Sequence, residues 1–158
     1  MSTIKPLYGS NNQAFTCTIT SLANVAQRQS TVVVNTTNLY VDALVFGKFK
    51  TGTSGMSTSG YIKIYAYGSV DGGTTYSDAC TGTDAGVTLT APPNLRCIGV
   101  VNAVTTGATY YGGPFSVAAA FGGQLPDHWG IVIENDTGAT FDASIGSTYY
   151  QGIQFQSV

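Results

Sequence analysis

Apolar side chains recur along this chain with a period of two or in short unbroken runs, and seldom at the three-to-four spacing of an amphipathic helix. That pattern predicts strands. "AFTCTIT" (14–20) sets Phe15, Cys17 and Ile19 against Thr16, Thr18 and Thr20, as a half-buried strand requires. "YIKIYAYGSV" (61–70) puts Ile62, Ile64 and Ala66 on one face and Tyr61, Lys63, Tyr65 and Tyr67 on the other. "DGG" (71–73) then supplies a tight hairpin turn. Further strands are predicted in "STVVV" (30–34), "NLYVDALVFGKFK" (38–50), "LRCIGVVNAV" (95–104), "HWGIVIEN" (128–135) and "TYYQGIQFQ" (148–156), with a short one at Val87 to Leu89. "FSVAAAF" (115–121) fits a short helix or a strand equally. Eight or nine strands separated by Gly-rich turns, with no helix to carry a parallel crossover, predict an all-β fold: an antiparallel β-sandwich of jelly-roll type.

One sandwich domain is expected over residues 14–158, preceded by an N-terminal arm over residues 1–13. In the arm, "STIKPLYGSNN", Pro6, the Gly–Ser pair and the double Asn argue against a regular element. Ile4, Leu7 and Tyr8 are too apolar for a tail that stays in solvent. They are read, with Lys5, as anchors that dock on the sandwich, on another subunit or on a larger assembly.

Composition narrows the partners. Only 9% of the 158 residues are charged, and six Lys and Arg against eight Asp and Glu leave a net charge of -2. A face basic enough to neutralise nucleic-acid phosphates is therefore not expected. The Lys and Arg residues are scattered, so no basic amphipathic segment addresses an anionic membrane. "MSTIKPLYGSNNQAF" has no apolar core of the kind a secretory signal needs, which predicts synthesis in a cytosol. Cys17, Cys80 and Cys97 lack CxxC spacing and are expected as free thiols, with the loop residue Cys80 the most reactive.

The stretch "LPDHWGIVIENDTGATF" (125–141) holds the single His and the single Trp beside Asp127. Adjacent residues of a strand point to opposite faces, so Asp127 and His128 are poorly placed to hydrogen bond as a catalytic pair. The segment reads as scaffold, with Trp129 as an aromatic plug and "ENDTG" as a turn. One His and three distant Cys offer no zinc spacing. Asp71, Asp78 and Asp84 crowd a turn-rich region, but their spacing matches no calcium loop and they read as solvated turn residues. Glu134, the one Glu, sits at a strand end and also reads as solvated. No cofactor, metal or catalytic site is predicted, and the chain is not expected to be an enzyme. The sequons at Asn35 and Asn135 are those a Thr-rich chain carries by chance.

The runs "VNTTNLYVDALV" (34–45), "SGYIKIYAYGSVDGGTTYSD" (59–78), "NLRCIGVVNA" (94–103), "PFSVAAAFGGQLPDHWGIVIENDTGATF" (114–141) and "YYQGI" (149–153) together resemble a group of tailed-bacteriophage virion proteins. These are small jelly-roll proteins that decorate or cement capsids. The resemblance implies a structural role on the capsid surface of the virion, with the major capsid protein as partner and a homotrimer as the self-assembly. Contacts are expected from Ile4, Lys5, Leu7 and Tyr8 of the arm and from Tyr110 and Tyr111 of "TTGATYYGGP" (105–114). The alternative is a carbohydrate- or receptor-binding jelly-roll module of a phage tail or fibre, in which Tyr110, Tyr111, Tyr149 and Tyr150 stack on sugars.

Overall fold

The computed structural model describes residues 3–158 and is almost entirely β. The eleven strands are β1 (Ile4–Tyr8), β2 (Gln13–Ala14), β3 (Gln27–Gln29), β4 (Val33–Val34), β5 (Asp42–Thr51), β6 (Tyr61–Ser69), β7 (Ala85–Val87), β8 (Arg96–Asn102), β9 (Thr109–Ser116), β10 (His128–Asp136) and β11 (Phe141–Ser157). All pairings are antiparallel and fall into two sheets. The first runs β1-β11-β5-β9, with β2 also on β11. The second runs β7-β3-β10-β6-β8, with β4 also on β10. The antiparallel sandwich expected from the period-two pattern is thus the fold. Its strands number eleven rather than eight or nine because β1, β3 and most of β9 lie where no strand was expected: β3 is only three residues long, and the 105–114 segment, read as a glycine-hinged loop, forms β9 from Thr109 onward.

Between the sheets lies the main core, built from Phe15, Ile19, Val45, Phe49, Ile62, Ile64, Trp129, Ile131, Ile133, Phe141 and Tyr150. The face assignment of β6 holds: Ile62, Ile64 and Ala66 are buried there. Trp129 is fully buried, and its ring meets Tyr150 at 5.2 Å and Phe15 at 6.2 Å in edge-on geometry. Segment 14–20 buries Phe15, Cys17 and Ile19 as predicted, yet most of it joins no ladder. Side chains take the ladder's place: Thr16 N–H donates to Thr31 Oγ1 at 3.0 Å, and Thr18 N–H to Asp84 Oδ1 at 3.0 Å. The segment 115–121 resolves into the end of β9 and a 3-10 turn over Ala118–Phe121.

A second, smaller core covers the outer face of the second sheet. Tyr65, Tyr67 and Val132 on that face pack against Cys80, Leu89 and Leu95 from the long connection between β6 and β8. Tyr67 lies across Gly130, where a Cβ would come within 2.4 Å of the tyrosine ring, and donates its hydroxyl to Ser30 O at 2.7 Å. The connection is held by its own acids. Asp78 accepts from Thr90 N–H and Asn94 N–H, and Asp71 from Thr74 N–H and Thr75 N–H. Asp84 pairs with Arg28 at 2.6 Å.

Three expectations are corrected. Residues 4–8 are not irregular; they form β1, paired with the C-terminal part of β11 over Ile4↔Ser157 to Tyr8↔Ile153. Pro6 fits because its partner Phe155 is a position where no ladder bond toward β11 is needed. Cys80 is buried, and burial pushes its thiol up to about 12. The exposed cysteine is Cys97. Glu134 is largely buried and accepts from Lys63 Nζ at 3.0 Å, Gln27 Nε2 at 2.9 Å and Tyr65 Oη at 3.2 Å.

Candidate functional site

The two sheets differ in what lies on their outer faces. The second is covered by the chain's own 70–95 connection, whereas the first is bare. Alternation in β5 turns Ala43, Val45 and Phe49 inward, which sends Leu44, Phe46 and Lys48 outward. Cross-strand register carries that face over its neighbours: Tyr149 lies opposite Phe46, Ile153 opposite Asp42, Tyr8 opposite Ile153 and Tyr111 opposite Lys48. The outer face therefore presents Tyr8, Ile153, Tyr149, Leu44, Phe46 and Tyr111 in a band across all four strands. Phe46 and Tyr149 keep about a third of their surface exposed, and Tyr111 keeps 64%. The Phe46 and Tyr111 rings lie 6.3 Å apart and only 31° from coplanar. At one flank a groove of about 370 Å³ is lined by Leu44, Phe46, Pro114 and Tyr149, with Asn11, Asn12 and Gln151 supplying amides. None of these lining residues is charged.

Size gives this band its meaning. A fully exposed aromatic side chain offers roughly 200 Å², so Tyr8, Phe46, Tyr111 and Tyr149 together leave roughly 400 Å² of aromatic surface in water. Leu44, Ile153 and Pro114 add to it. That total reaches the largest apolar patch a monomer ordinarily shows, about 300–600 Å², and such patches mark contact sites.

The predicted contact residues divide between this face and other places. Ile4 and Tyr8 share the bare face, while Lys5 and Leu7 point to the opposite side of β1; all four are exposed. Tyr111 stands in the aromatic band. Tyr110 faces the other way, and its hydroxyl accepts from Thr105 N–H at 2.7 Å and Val104 N–H at 3.1 Å, which pins its own loop. Tyr149 is on the band, but Tyr150 is a core residue packed on Phe15 and Trp129, so it is not available for stacking. Leu44, Phe46, Ile153 and Pro114 were not foreseen. For Leu44 and Phe46 the signal was present: in "DALVFGKFK" apolar residues occupy both parities, so one set had to face away from the core.

The remaining chemistry is scaffold. His128 Nδ1 comes within 3.4 Å of Asp127 Oδ1, closer than strand alternation implied, because Asp127 lies just outside β10. The two atoms are buried but not in hydrogen-bond geometry, and neither has a hydrogen-bond partner among the described residues. Asn35 and Asn135 are buried, and Asn135 holds the turn after β10 by donating to Leu22 O and Ala139 O. Among the described residues no three His, Cys, Asp or Glu side chains converge as a metal site. No helix among them is long and apolar enough to cross a membrane. The chain matches no protein-family model, no curated protein and no solved structure.

Proposed function

We propose that this chain is a structural protein of a tailed-bacteriophage virion, a decoration or cement protein that seats on the capsid surface through the bare face of β1-β11-β5-β9. The observation that carries the reading is the asymmetry of the sandwich: one outer face has its own cover and the other exposes an uncharged aromatic band. Burying roughly 400 Å² of that band at ~25 cal/mol/Å² contributes about 10 kcal/mol gross, enough to offset much of the cost of association. Its partners are the major capsid protein and further copies of itself in a homotrimer, and it has no catalytic role. The resemblance in five stretches of sequence supports the virion setting, and the sparse surface charge suits a coat that must not adhere to bystanders.

The test is binding to phage heads that lack the protein, followed by co-sedimentation. Phe46→Ser with Tyr149→Ser is expected to abolish sedimentation with heads while the far-ultraviolet circular dichroism stays that of the folded protein, since both side chains are on the outer face and the core between the sheets is untouched. Normal binding by this variant, or failure of the unaltered protein to bind heads at all, rejects the reading. The groove favours one rival, a neutral-glycan module, because rings beside Asn11, Asn12 and Gln151 amides are the chemistry that recognises sugar faces and hydroxyls. Glycan-array binding that Tyr149→Ser removes, with no binding to heads, selects that rival.

A further inference from the structure

The ribbon formed by β1 and the end of β11 has one strand edge left open. Thr3 and Val158 exchange two backbone bonds at 2.9 Å each, and Gly9 N–H donates to Gly152 O at 2.8 Å. Even-numbered residues of this part of β11 therefore bond toward β1, and odd-numbered ones face the other side. There Val41 N–H donates to Ile153 O at 2.7 Å, and β5 begins at the next residue. Phe155 and Ser157 lie past the point where β5 could reach, and among the described residues their backbone groups have no partner on that side. Beside them runs a groove of about 570 Å³, bounded by residues 37–39 and lined by Leu39, Val41 and Phe155. The opposite edge of the ribbon is blunted, since Pro6 turns its nitrogen outward and offers no donor there. The β11 edge carries no such device.

We propose that this open edge pairs with the same edge of a second copy of the chain, antiparallel about a twofold axis through Gln156. The pattern is self-complementary. Phe155 N–H and C=O meet Ser157 C=O and N–H of the other copy, and the reverse pair forms across the axis, giving four backbone bonds from two residues. Charge permits it: Lys5 is the sole charged residue in Ile4–Tyr8 and Gln154–Ser157. The pairing also covers what the ribbon leaves in water. Phe155 is 65% and Leu39 is 70% exposed, and the two Phe155 rings come to diagonal positions about 7–8 Å apart, within aromatic reach. With Val158 these side chains bury roughly 300 Å² per copy, well under the ~800 Å² per partner of a standard interface. The pairing is therefore weak between free molecules and strengthens where copies are held side by side. It is distinct from the homotrimer proposed above, and it does not depend on the virion reading.

Disulfide trapping tests it in the full chain carrying Cys97→Ser, which removes the one exposed thiol. Gln156→Cys faces its own copy at a non-hydrogen-bonded pair with Cα atoms about 4.5 Å apart, within disulfide reach. Gln154→Cys lies four residues out of register with its copy, about 13 Å away, and cannot link. Under mild oxidation Gln156→Cys is expected to form covalent dimer at least about tenfold faster than Gln154→Cys, as those separations demand. Adding Ser157→Pro should suppress the link, because it deletes an edge donor at a position where β1 needs none. Equal linking at both cysteines, no linking at either, or indifference to Ser157→Pro overturns the proposal. Protection of the Phe155 and Ser157 amides from exchange only when heads are added, without linking, assigns the edge to a strand of another protein and likewise overturns it. Head binding is measured separately, so failure here leaves the capsid reading standing or falling on its own assay.

Discussion

Replacing Trp129 isolates what holds the two sheets together. The side chain is fully buried, and it is the junction between β10 of one sheet and Tyr150 of the other, with Phe15 closing the third side. Trp129→Ala removes the largest buried side chain in the protein and two edge-on aromatic contacts, so the loss should fall at about 3–5 kcal/mol. For a domain of this size that lowers the melting temperature by roughly 10–15 °C. Trp129→Phe discriminates between volume and polarity. The indole Nε1 has no hydrogen-bond partner among the described residues, so phenylalanine forfeits no bond and should cost about 1–2 kcal/mol from the smaller ring alone. His128→Ala, one residue away on the outer side and with its Nδ1 unpartnered, should cost about 1 kcal/mol or less. Urea titrations followed by far-ultraviolet circular dichroism serve all three variants, since the fluorophore itself is being removed. A Trp129→Phe loss equal to that of Trp129→Ala would show that a polar contact of the indole dominates, and equal losses at His128 and Trp129 would overturn the scaffold reading of this stretch.

Thiol chemistry and acid sensitivity follow from the same burial pattern. At pH 8 one equivalent of an aromatic disulfide reagent should react promptly, at Cys97, because burial pushes Cys17 and Cys80 up to about 12; three equivalents should react in denaturant, and prompt reaction of more than one in the folded protein contradicts the packing. Asp84 is held at about 2: burial opposes this, but hydrogen bonds from Arg28 and Thr18 outweigh it. Its folded value lies below the unfolded one, so its contribution is complete above about pH 4 and is lost as pH falls from there toward 2. Asp84→Asn should flatten the fall in melting temperature over that window, and an unchanged slope would assign the acid sensitivity elsewhere.

The fold was legible where aliphatic residues for the main core alternate with residues of another kind, even though that second face is itself covered by the smaller core. β6 and β10 could be read residue by residue, because alternation of Ile and polar neighbours leaves one register that buries the apolar set. Segment 14–20 was legible in burial but not in bonding, since Thr31 and Asp84 side chains replace a ladder and sequence pattern does not encode distant acceptors. β1 was hidden for a different reason: its five side chains are all exposed, so no alternation marks it, and its pairing depends on β11, about 150 positions away in the sequence. The contact face was half legible. Tyr8, Tyr111 and Tyr149 stood out as apolar residues in polar surroundings, but parity alone could not tell that Phe46 faces outward beside them while Tyr150 faces inward.

Charge is spent inside this molecule rather than on its contact face, and that fixes how its binding should respond to salt. Arg28 is paired with Asp84, Lys50 with Asp142 at 3.0 Å and Lys63 with Glu134 at 3.0 Å, which engages half of the six cations. Asp71 is engaged by backbone N–H groups of its own turn, and Asp78 by those of Thr90 and Asn94 further along the same connection. Across the aromatic band the nearest cation is Lys48, opposite Tyr111, and a single exposed charge contributes little to an interface in water. Binding driven by burial of the Phe46, Tyr111 and Tyr149 rings should hold or tighten slightly as salt rises, because screening removes nothing and excluded salts favour apolar burial. Attachment to heads is therefore expected to change by less than about threefold between 50 and 500 mM sodium chloride, whereas a contact that neutralised several opposite charges would lose orders of magnitude over a smaller range. Sedimentation with heads across that series measures it, and a steep loss with salt would move the interface off the aromatic band and onto Lys5, Lys48 and Arg96, the cations without a carboxylate partner among the described residues.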